Sequence, residues 1–292
     1  AWLGGINFSD HNFAWHDMMV RLEHPGIADW LAQQFDRDWQ GEGGSHQVAF
    51  GDAVLLNLDG ADNANGFAPL VAAFAKARES LEVVSAYPTF PFVEAMGQAA
   101  RSGARVTLYT PRPNNKPIIR DYLLGAAERA GIAIRLTPMM THAKAALIDG
   151  AALVVGSSNF DFVSYRANAE YVAVLRDPAL IADFRRELLE PLAAGSAAPS
   201  ASDYGAFRSW RARLALALAD RVIVLGGDPD SPWEGSTIRS EIVVPGARLG
   251  DDPRDVAHRV HQLLLDRLLE RLVGGVVDLL ATAGGSPEIG DH

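Results

Sequence analysis

The residues best suited to chemistry lie in one central stretch of the chain, THAKAALIDGAALVVGSSNFDFVSYRANAEY. His142 and Lys144 are two residues apart on a predicted strand, so their side chains point to the same face. A turn at Gly150-Ala151 folds the next strand back and carries Ser157 and Asn159 toward the same end. The pattern predicts that an imidazole, an ammonium, a hydroxyl and an amide converge on one point.

This set of side chains suits a phosphate group. Lysine, serine and asparagine donate hydrogen bonds to phosphate oxygens, and histidine attacks phosphorus or transfers protons near neutral pH. Glu170 lies on the next predicted strand, where its carboxylate could hold the other ring nitrogen of His142. Asp149 lies beside the turn, so we expect it to brace the frame more than to touch substrate.

A purely structural explanation is available for each piece of this pattern. A His-x-Lys pair on a strand or a Gly-Ser-Ser-Asn turn carries no functional meaning alone. Here five specified residue types fall at fixed spacing on one strand–turn–strand frame, which favours a functional site.

The surrounding elements indicate an α/β layered fold. Strand patterns in LEVVSAY, ARVTLYT and IAIRLTP alternate with helical ones, which predicts mixed, largely parallel sheets flanked by helices, with active groups at strand ends. We also predict a helix over 25–39, one strand over 48–58 and an amphipathic helix over 67–81.

Composition limits the possible functions. The chain has 292 residues, 48% of them hydrophobic, which is ample for a sizeable core. The net charge of −10 disfavours non-specific nucleic-acid binding but allows a local pocket for one phosphate. The absence of cysteine excludes disulfides and thiol catalysis. No run is long and apolar enough for a membrane span.

The central stretch closely resembles the HKD motif of the phospholipase D superfamily. Its constrained positions read His142-x-Lys144-x4-Asp149-x6-Gly156-Ser157-x-Asn159. The resemblance implies two pseudo-symmetric halves whose motifs meet at one active site, without a metal or another cofactor. One histidine forms a phosphohistidine and the other is the general acid and base. His142 would take the second role, with Lys144, Ser157 and Asn159 as phosphate clamps.

The opening of the chain repeats part of this motif. LGGINFSD parallels VGSSNFD, so Asn7 corresponds to Asn159, Gly5 to Ser157, and Asp17 to Glu170. We therefore expect the chain to begin inside a first motif, N-terminally truncated, with that motif's histidine and lysine upstream. On this view Gly5 and Asn7 bind phosphate and Asp17 is catalytic. We expect the chain alone to be inactive, unless two copies combine their His142 side chains.

The Gly-Gly-x-Asn variant and the residues after Asn159 resemble the cardiolipin synthase branch of the superfamily. That implies a phosphatidyltransferase or phospholipase D-like enzyme acting on phosphatidylglycerol or a similar phospholipid. The resemblance also implies association with a membrane surface, namely that of the bacterial inner membrane. Nucleic acid is not favoured as a partner, and the oligomeric state stays open. The alternatives are a phosphodiesterase or nuclease of the same superfamily, or a non-catalytic phospholipid-binding remnant.

Four segments follow from these patterns. Residues 1–45 would be the remnant of a first phospholipase D-like half, and residues 46–194 the second half with the complete motif. Residues 195–203 are small, polar and proline-containing, which is typical of a linker. Residues 204–292 would be a helical extension of open role, with helices over 208–225 and 256–280.

Overall fold

A computed structural model describes residues 1–7, 10 and 12–226 of the chain. Contacts unite Ala1–Trp210 into one compact unit. The helix predicted over 256–280 lies outside the described residues. No helix in the described part of the chain is both long and apolar enough to cross a membrane.

The described residues form ten strands and eight α-helices. The strands are β1 (Trp2–Gly4), β2 (Met19–Arg21), β3 (His46–Phe50), β4 (Ala53–Leu58), β5 (Ser80–Val84), β6 (Arg105–Pro111), β7 (Ala133–Thr137), β8 (Ala145–Ile148), β9 (Ala152–Gly156) and β10 (Glu170–Leu175). The helices are α1 (Pro25–Gln40), α2 (Asn63–Ala75), α3 (Phe92–Arg101), α4 (Pro117–Ala130), α5 (Phe162–Arg166), α6 (Pro178–Phe184), α7 (Glu190–Gly195) and α8 (Ala206–Gly226), with a π-helical turn at Arg185–Leu189.

Eight of these strands form one mixed sheet in the order β3-β4-β10-β9-β8-β5-β6-β7, and β1 pairs with β2 separately. The predicted α/β architecture of a mixed sheet flanked by helices is confirmed. The expectation that most strand pairs are parallel is wrong, because most neighbouring strands of the large sheet pair antiparallel. Within the described residues only β5–β6 and β6–β7 are parallel, because helices α3 and α4 connect them. The other neighbours pair antiparallel.

Two predicted elements differ from the structure. The single strand expected over 48–58 is a hairpin of β3 and β4, because Gly51 takes a left-handed conformation, with φ 55°, at the turn. The helix expected over 67–81 ends at Ala75, and residues from Ser80 join the sheet. The apolar spacing of Leu81 fits either element, and tertiary hydrogen bonds decide between them.

Asp149 supplies the tertiary hydrogen bonds that end helix α2 and start strand β5. Its carboxylate accepts from the backbone N–H groups of Arg78, Glu79 and Ser80 at 2.8–3.1 Å. A helix continuing to residue 81 would need the same N–H groups for its own ladder. These bonds hold the pKa of Asp149 below its usual value, against the opposing effect of burial. Asp149 therefore fixes the start of β5 and braces the frame.

We expect Asp149→Ala to lower the free energy of unfolding by about 2–3 kcal/mol, because it removes a charged acceptor of three backbone bonds. Residue 149 also has a φ of 51°, which alanine tolerates poorly. Asp149→Asn is the matched control, since asparagine tolerates this conformation and keeps one acceptor oxygen. Urea denaturation checks the order wild type, Asn, Ala. Equal stability of the alanine variant and wild type would contradict the bracing role.

The strand register gathers the ends of several strands at one edge of the sheet. Val84, the last residue of β5, lies opposite both Tyr109 near the end of β6 and Ala145 at the start of β8. Ala145 in turn lies opposite Val155 near the end of β9. The chain just before β8, which contains His142 and Lys144, therefore lies beside the loops that follow β5 and β6.

The hairpin β1–β2 repeats the geometry of the hairpin β9–β10. Gly4 lies opposite Met19, and Gly156 lies opposite Val172. Asp17 precedes Met19 by two positions, as Glu170 precedes Val172. A helix beginning at a proline follows each hairpin, α1 in one case and α6 in the other. This match in register favours the internal repeat seen in the sequence.

The segment predicted as a linker is attached to the sheet. Leu136 of β7 and Ala197 exchange two backbone hydrogen bonds of 2.7 and 3.0 Å. Asp203 accepts from the guanidinium of Arg112 at 2.7 Å. The boundary of the compact unit accordingly lies after Trp210 and not at 195–203. The helix expected over 208–225 corresponds to α8.

Candidate active site

His142 is buried and bound to a carboxylate from the beginning of the chain. Its Nδ1 lies 2.7 Å from Oδ2 of Asp17, and both side chains are less than a tenth exposed. The other oxygen of Asp17 accepts from the backbone N–H of Met18 at 2.8 Å. An ionised Asp17 requires Nδ1 to carry a proton, so the neutral ring keeps its lone pair on Nε2.

Backbone pairing between distant segments creates this contact. The N–H of His16 donates to the carbonyl of Met140 at 2.9 Å, and the N–H of His142 donates to the carbonyl of His16 at 2.8 Å. These two bonds lay residues 15–17 alongside residues 140–142 as an isolated parallel bridge. Asp17 thus reaches His142 across 125 positions of sequence.

The ammonium group of Lys144 lies against the imidazole of His142. Nζ is 2.9 Å from Nε2 and 3.0 Å from Nδ1, and it also donates to the backbone carbonyl of His142 at 2.9 Å. Because Nδ1 donates its proton to Asp17, we assign Nε2 as the acceptor from Lys144. The lone pair that would take a proton from substrate is therefore next to the positive charge that would bind a phosphate.

Burial lowers the pKa of Lys144 from 10.5 to about 8, and the negative charges of Asp17, Glu170 and Asp161 oppose that shift. The ammonium is still the main form at neutral pH, but it is held in a site that disfavours charge. An incoming phosphate would favour the charged form, and so a group with this pKa binds an anion more weakly as the pH rises above about 8.

Steric contact with Lys144 explains why residue 5 is glycine. A Cβ atom at this position would lie 2.5 Å from Cδ and 2.9 Å from Nζ of Lys144. The lysine stem therefore occupies the space that a serine side chain would need. This explains why Gly5 stands where the parallel copy has Ser157. Gly5 shapes the site through Lys144.

Glu170 acts electrostatically on Lys144, and its carboxylate is bonded to two serines. Ser157 donates a short hydrogen bond to one carboxylate oxygen, and Ser164 donates to the other at 2.6 Å. Burial raises the pKa of Glu170 to about 7, although both hydroxyl groups and Lys144 act in the opposite direction. The carboxyl group of Glu170 is therefore about half protonated near neutral pH and can give or take a proton there.

Asn159 presents a polar group without a protein partner. Its Oδ1 atom is buried and has no hydrogen-bond partner among the described residues. Its backbone carbonyl accepts from the hydroxyl of Ser85 at 2.9 Å, which ties the motif to the end of β5. Exchange of oxygen and nitrogen in the amide would place an N–H donor at the same point, suited to a phosphate oxygen.

Comparison with known proteins agrees with this geometry. Residues 70–190 match the family model described as cardiolipin synthase, PLD-like domain. Cardiolipin synthase A of Yersinia pseudotuberculosis and of Yersinia pestis is 28% identical over 213 residues, which cover 63% of this chain and 43% of the relative. The chain thus spans less than half the length of these curated relatives.

Residues 70–190 thus match a PLD-like domain of the cardiolipin synthase kind, and the relatives support a cardiolipin synthase-like member of the phospholipase D superfamily. Among solved structures, phosphatidylserine synthase of Haemophilus influenzae is 14% identical, with a TM-score of 0.48, covering 70% of this chain and 55% of the other. The phospholipase D family member Nuc from Salmonella typhimurium is 19% identical, with a TM-score of 0.40, covering 46% and 90%.

The structure brings together some of the predicted residues of this phospholipase D-like site. His142 and Lys144 are in contact, and Glu170 and Ser157 are bonded to each other. The predicted pairing of His142 with Glu170 is wrong, because Asp17 occupies Nδ1. Ser157 gives its proton to Glu170, so its hydroxyl is not directed at a phosphate as expected.

Two further predicted positions do not join the site. Asp149 follows β8, while His142 and Lys144 precede it, so four strand residues separate them. Asn7 is exposed, and no hydrogen bond links it to the described site residues. Its assignment as a phosphate ligand stays a prediction.

Three residues at this phospholipase D-like site were missed from the sequence. The rings of Trp15 and Tyr87 lie 5.2 and 6.0 Å from that of His142. Ser164 is fully buried and binds Glu170. Only Ser164 had a local signal, since it follows Asp161 by three positions, the spacing of a helix N-cap, and that cap is formed.

Replacement of Lys144 by methionine is expected to raise the stability of the fold while it lowers activity. Below pH 8 the folded chain holds a buried ammonium. Because the pKa of Lys144 falls from 10.5 to about 8 on folding, this charge lowers the free energy of unfolding by about 3 kcal/mol. We expect Lys144→Met to raise the free energy of unfolding by about 2–3 kcal/mol at pH 7. That gain shrinks toward zero by pH 10.5, because the wild-type folded state loses its proton first. Denaturant unfolding at both pH values checks this.

In a form that turns over substrate, Lys144→Met should also lower phosphoryl transfer about 100- to 1,000-fold, because a cation near the developing charge is lost. Lys76→Met is the matched control, since Lys76 is exposed at the end of α2. A destabilised Lys144→Met variant at pH 7 would show that the ammonium is better satisfied than its burial indicates.

Proposed function

We propose that this chain supplies one half of the catalytic centre of a phosphatidyltransferase of the cardiolipin synthase type. The contact between Nδ1 of His142 and Asp17 carries the proposal. A carboxylate at Nδ1 fixes the tautomer and stabilises the ring when it becomes positively charged. His142 would then use Nε2 as a general acid toward the leaving alcohol and as a general base toward the incoming one.

Lys144 and Asn159 would stabilise the charge on the transferred phosphoryl group. The ammonium adjoins Nε2 of His142, and the amide of Asn159 has an unsatisfied buried atom. On binding, a phosphate oxygen would replace the imidazole as the partner of Lys144. That exchange frees Nε2 for proton transfer at the moment the substrate arrives.

The reaction also requires a nucleophile, which the family resemblance gives as a second histidine that becomes a phosphohistidine. We propose that this histidine comes from a second His-x-Lys motif beyond the one in this chain. The parallel between the two hairpins supports a position for it beside Glu170. Asp17 of one repeat binds the histidine of the other, so Glu170 would bind the second histidine in the same way. Ser157 and Ser164 would orient that carboxylate.

The substrate we propose is a phospholipid, phosphatidylglycerol or a close relative, bound at a membrane surface of the bacterial inner membrane. The names of the matched relatives support phosphatidyl chemistry. The net charge of −10 disfavours a nuclease that grips a nucleic-acid backbone. The chain as given would bind the headgroup without completing a reaction cycle.

Binding and turnover assays test these points together. Calorimetry with glycerophosphoglycerol, the soluble headgroup diester, should show binding by the chain that Lys144→Met weakens at least about tenfold. Phosphatidylglycerol in mixed micelles should give no His142-dependent turnover with this chain alone. Turnover that rises with the square of chain concentration would instead assign the second histidine to another copy. Tight, salt-sensitive DNA binding without headgroup binding would overturn the proposal in favour of a nuclease.

A further inference from the structure

Two loop segments that meet beside His142 form an apolar rim, which we define as residues 12–15 and 138–141. The isolated parallel bridge at His16 lays the two segments side by side. The indole ring of Trp15, which is half-buried, lies 5.2 Å from the imidazole of His142. The rim therefore borders the side chain that we assign to proton transfer.

Two large apolar side chains of the rim are exposed. Phe13 is 62% exposed and Met139 is 57% exposed. Neither segment of the rim contains a charged residue, although 21% of the residues in the chain are charged. Such a surface loses no charge solvation when it leaves water, and it gains free energy from contact with an apolar partner.

Buried threonines fix the turn that exposes Met139. The hydroxyl of Thr137 donates to the backbone carbonyl of Met139 at 2.9 Å, and it lies 2.8 Å from the hydroxyl of Thr141. Both threonine side chains are buried, and so is that of the neighbouring Met140. The fold thus holds Met139 at the surface while the residues on either side of it are anchored inside.

Several backbone carbonyls of the rim have donors within the protein. The carbonyl of Asn12 accepts from the N–H of Trp15 at 3.0 Å, and that of Met140 accepts from the N–H of His16 at 2.9 Å. The carbonyl of Met139 has its threonine donor. Because an unpaired carbonyl is costly to place next to hydrocarbon, these bonds let the rim approach an apolar phase.

We propose that this rim inserts into the interfacial layer of a phospholipid bilayer and places His142 at the level of the lipid headgroups. The inference rests on the proposed function, in which a headgroup phosphate reaches Lys144 while the acyl chains stay in the bilayer. Phe13 and Met139 would contact acyl chains. Trp15 would lie beside the headgroup, because an aromatic ring with one polar atom favours the boundary between water and hydrocarbon.

Cosedimentation of the 292-residue chain with vesicles tests the rim through a matched pair of variants. Phe35 on α1 is 61% exposed, close to the value for Phe13, but it lies outside the rim. With vesicles of equal parts phosphatidylcholine and phosphatidylglycerol, Phe13→Ser should weaken binding at least about tenfold, and Phe35→Ser should change it less than about twofold. Met139→Ser should weaken binding in the same direction as Phe13→Ser. No binding by wild type, or equal effects of the two phenylalanine variants, would overturn the inference.

A fluorescent label reports the position of the rim directly. The chain contains no cysteine, so Met139→Cys and Phe35→Cys each create a single labelling site. Acyl chains that carry bromine should quench a fluorophore at residue 139 and leave one at residue 35 unquenched. Equal quenching at both positions, or quenching at residue 35 alone, would show that another surface enters the bilayer.

Two further measurements separate the rim from the proposed function and from self-association. Glycerophosphoglycerol has the headgroup without acyl chains, so Phe13→Ser should bind it as tightly as wild type does. If wild type binds vesicles through Phe13 but does not bind this soluble headgroup, the proposed function fails and the rim is supported. If Phe13→Ser instead changes sedimentation equilibrium of the chain without vesicles and leaves vesicle binding intact, the rim is a contact between copies and the inference is overturned.

Discussion

Replacement of His142 by asparagine is expected to lower phosphatidyl transfer by about three orders of magnitude, in a form of the protein that contains both catalytic histidines. Asparagine keeps a polar side chain of similar reach, but it can neither take a proton from the acceptor nor give one to the leaving alcohol. The bond with Asp17 can still form through the amide N–H, so the fold should be retained.

A control variant distinguishes this loss from a general effect of removing a histidine. His46 lies on β3 at the far edge of the sheet, with β4, β10 and β9 between it and β8. We expect His46→Asn to retain wild-type turnover. Rates are measured with phosphatidylglycerol in mixed micelles, and circular dichroism checks the fold of each variant. Retention of more than about a tenth of wild-type turnover by His142→Asn would remove His142 from the proton-transfer role.

Replacement of Asp17 by asparagine should be at least as damaging, with a loss of about 1,000- to 10,000-fold in kcat. The carboxylate accepts the proton on Nδ1 and leaves the lone pair on Nε2. An asparagine that turns its N–H toward Nδ1 would stabilise the opposite tautomer, with the proton on Nε2 and no base facing the substrate. The same change removes the negative charge that favours the imidazolium form.

A structural role alone predicts a different result for Asp17→Asn. If the carboxylate only packs the hairpin against residues 140–142, the variant should lose stability but keep its pH profile. The catalytic role predicts a large fall in kcat with little change in KM, and an altered dependence of rate on pH. Asp10→Asn is a suitable control, because Asp10 is an exposed carboxylate in the same segment. Comparable rates for Asp17→Asn and Asp10→Asn would contradict the assigned pairing.

The motif itself could be predicted from the sequence because its geometry is local. Residues two apart on a strand share a face, and a tight turn brings the next strand alongside. These rules predict that Lys144 lies beside His142, and the structure shows that contact. The mixed α/β fold also follows from the alternation of strand and helix patterns.

The partner of His142 could not be predicted by the same means. The sequence favours Glu170 because it lies on the next predicted strand, where its carboxylate could reach a ring nitrogen of His142. The actual partner depends on backbone bonds between His16 and residues 140–142, which no local pattern encodes. The helix predicted over 67–81 fails for a similar reason, since Asp149 takes the N–H groups that its last turn would need.

The state of the His142 ring tests the account most directly. Nitrogen-15 NMR of histidine-labelled chain reports which ring nitrogen carries the proton, before and after addition of glycerophosphoglycerol. We predict a proton on Nδ1 and a lone pair on Nε2, a ligand-induced shift at Nε2, and loss of that shift in Lys144→Met. A ring protonated on Nε2 alone, or a ring unchanged at saturating ligand, would contradict the assignment of His142 as the acid and base of a phosphatidyl-transfer site.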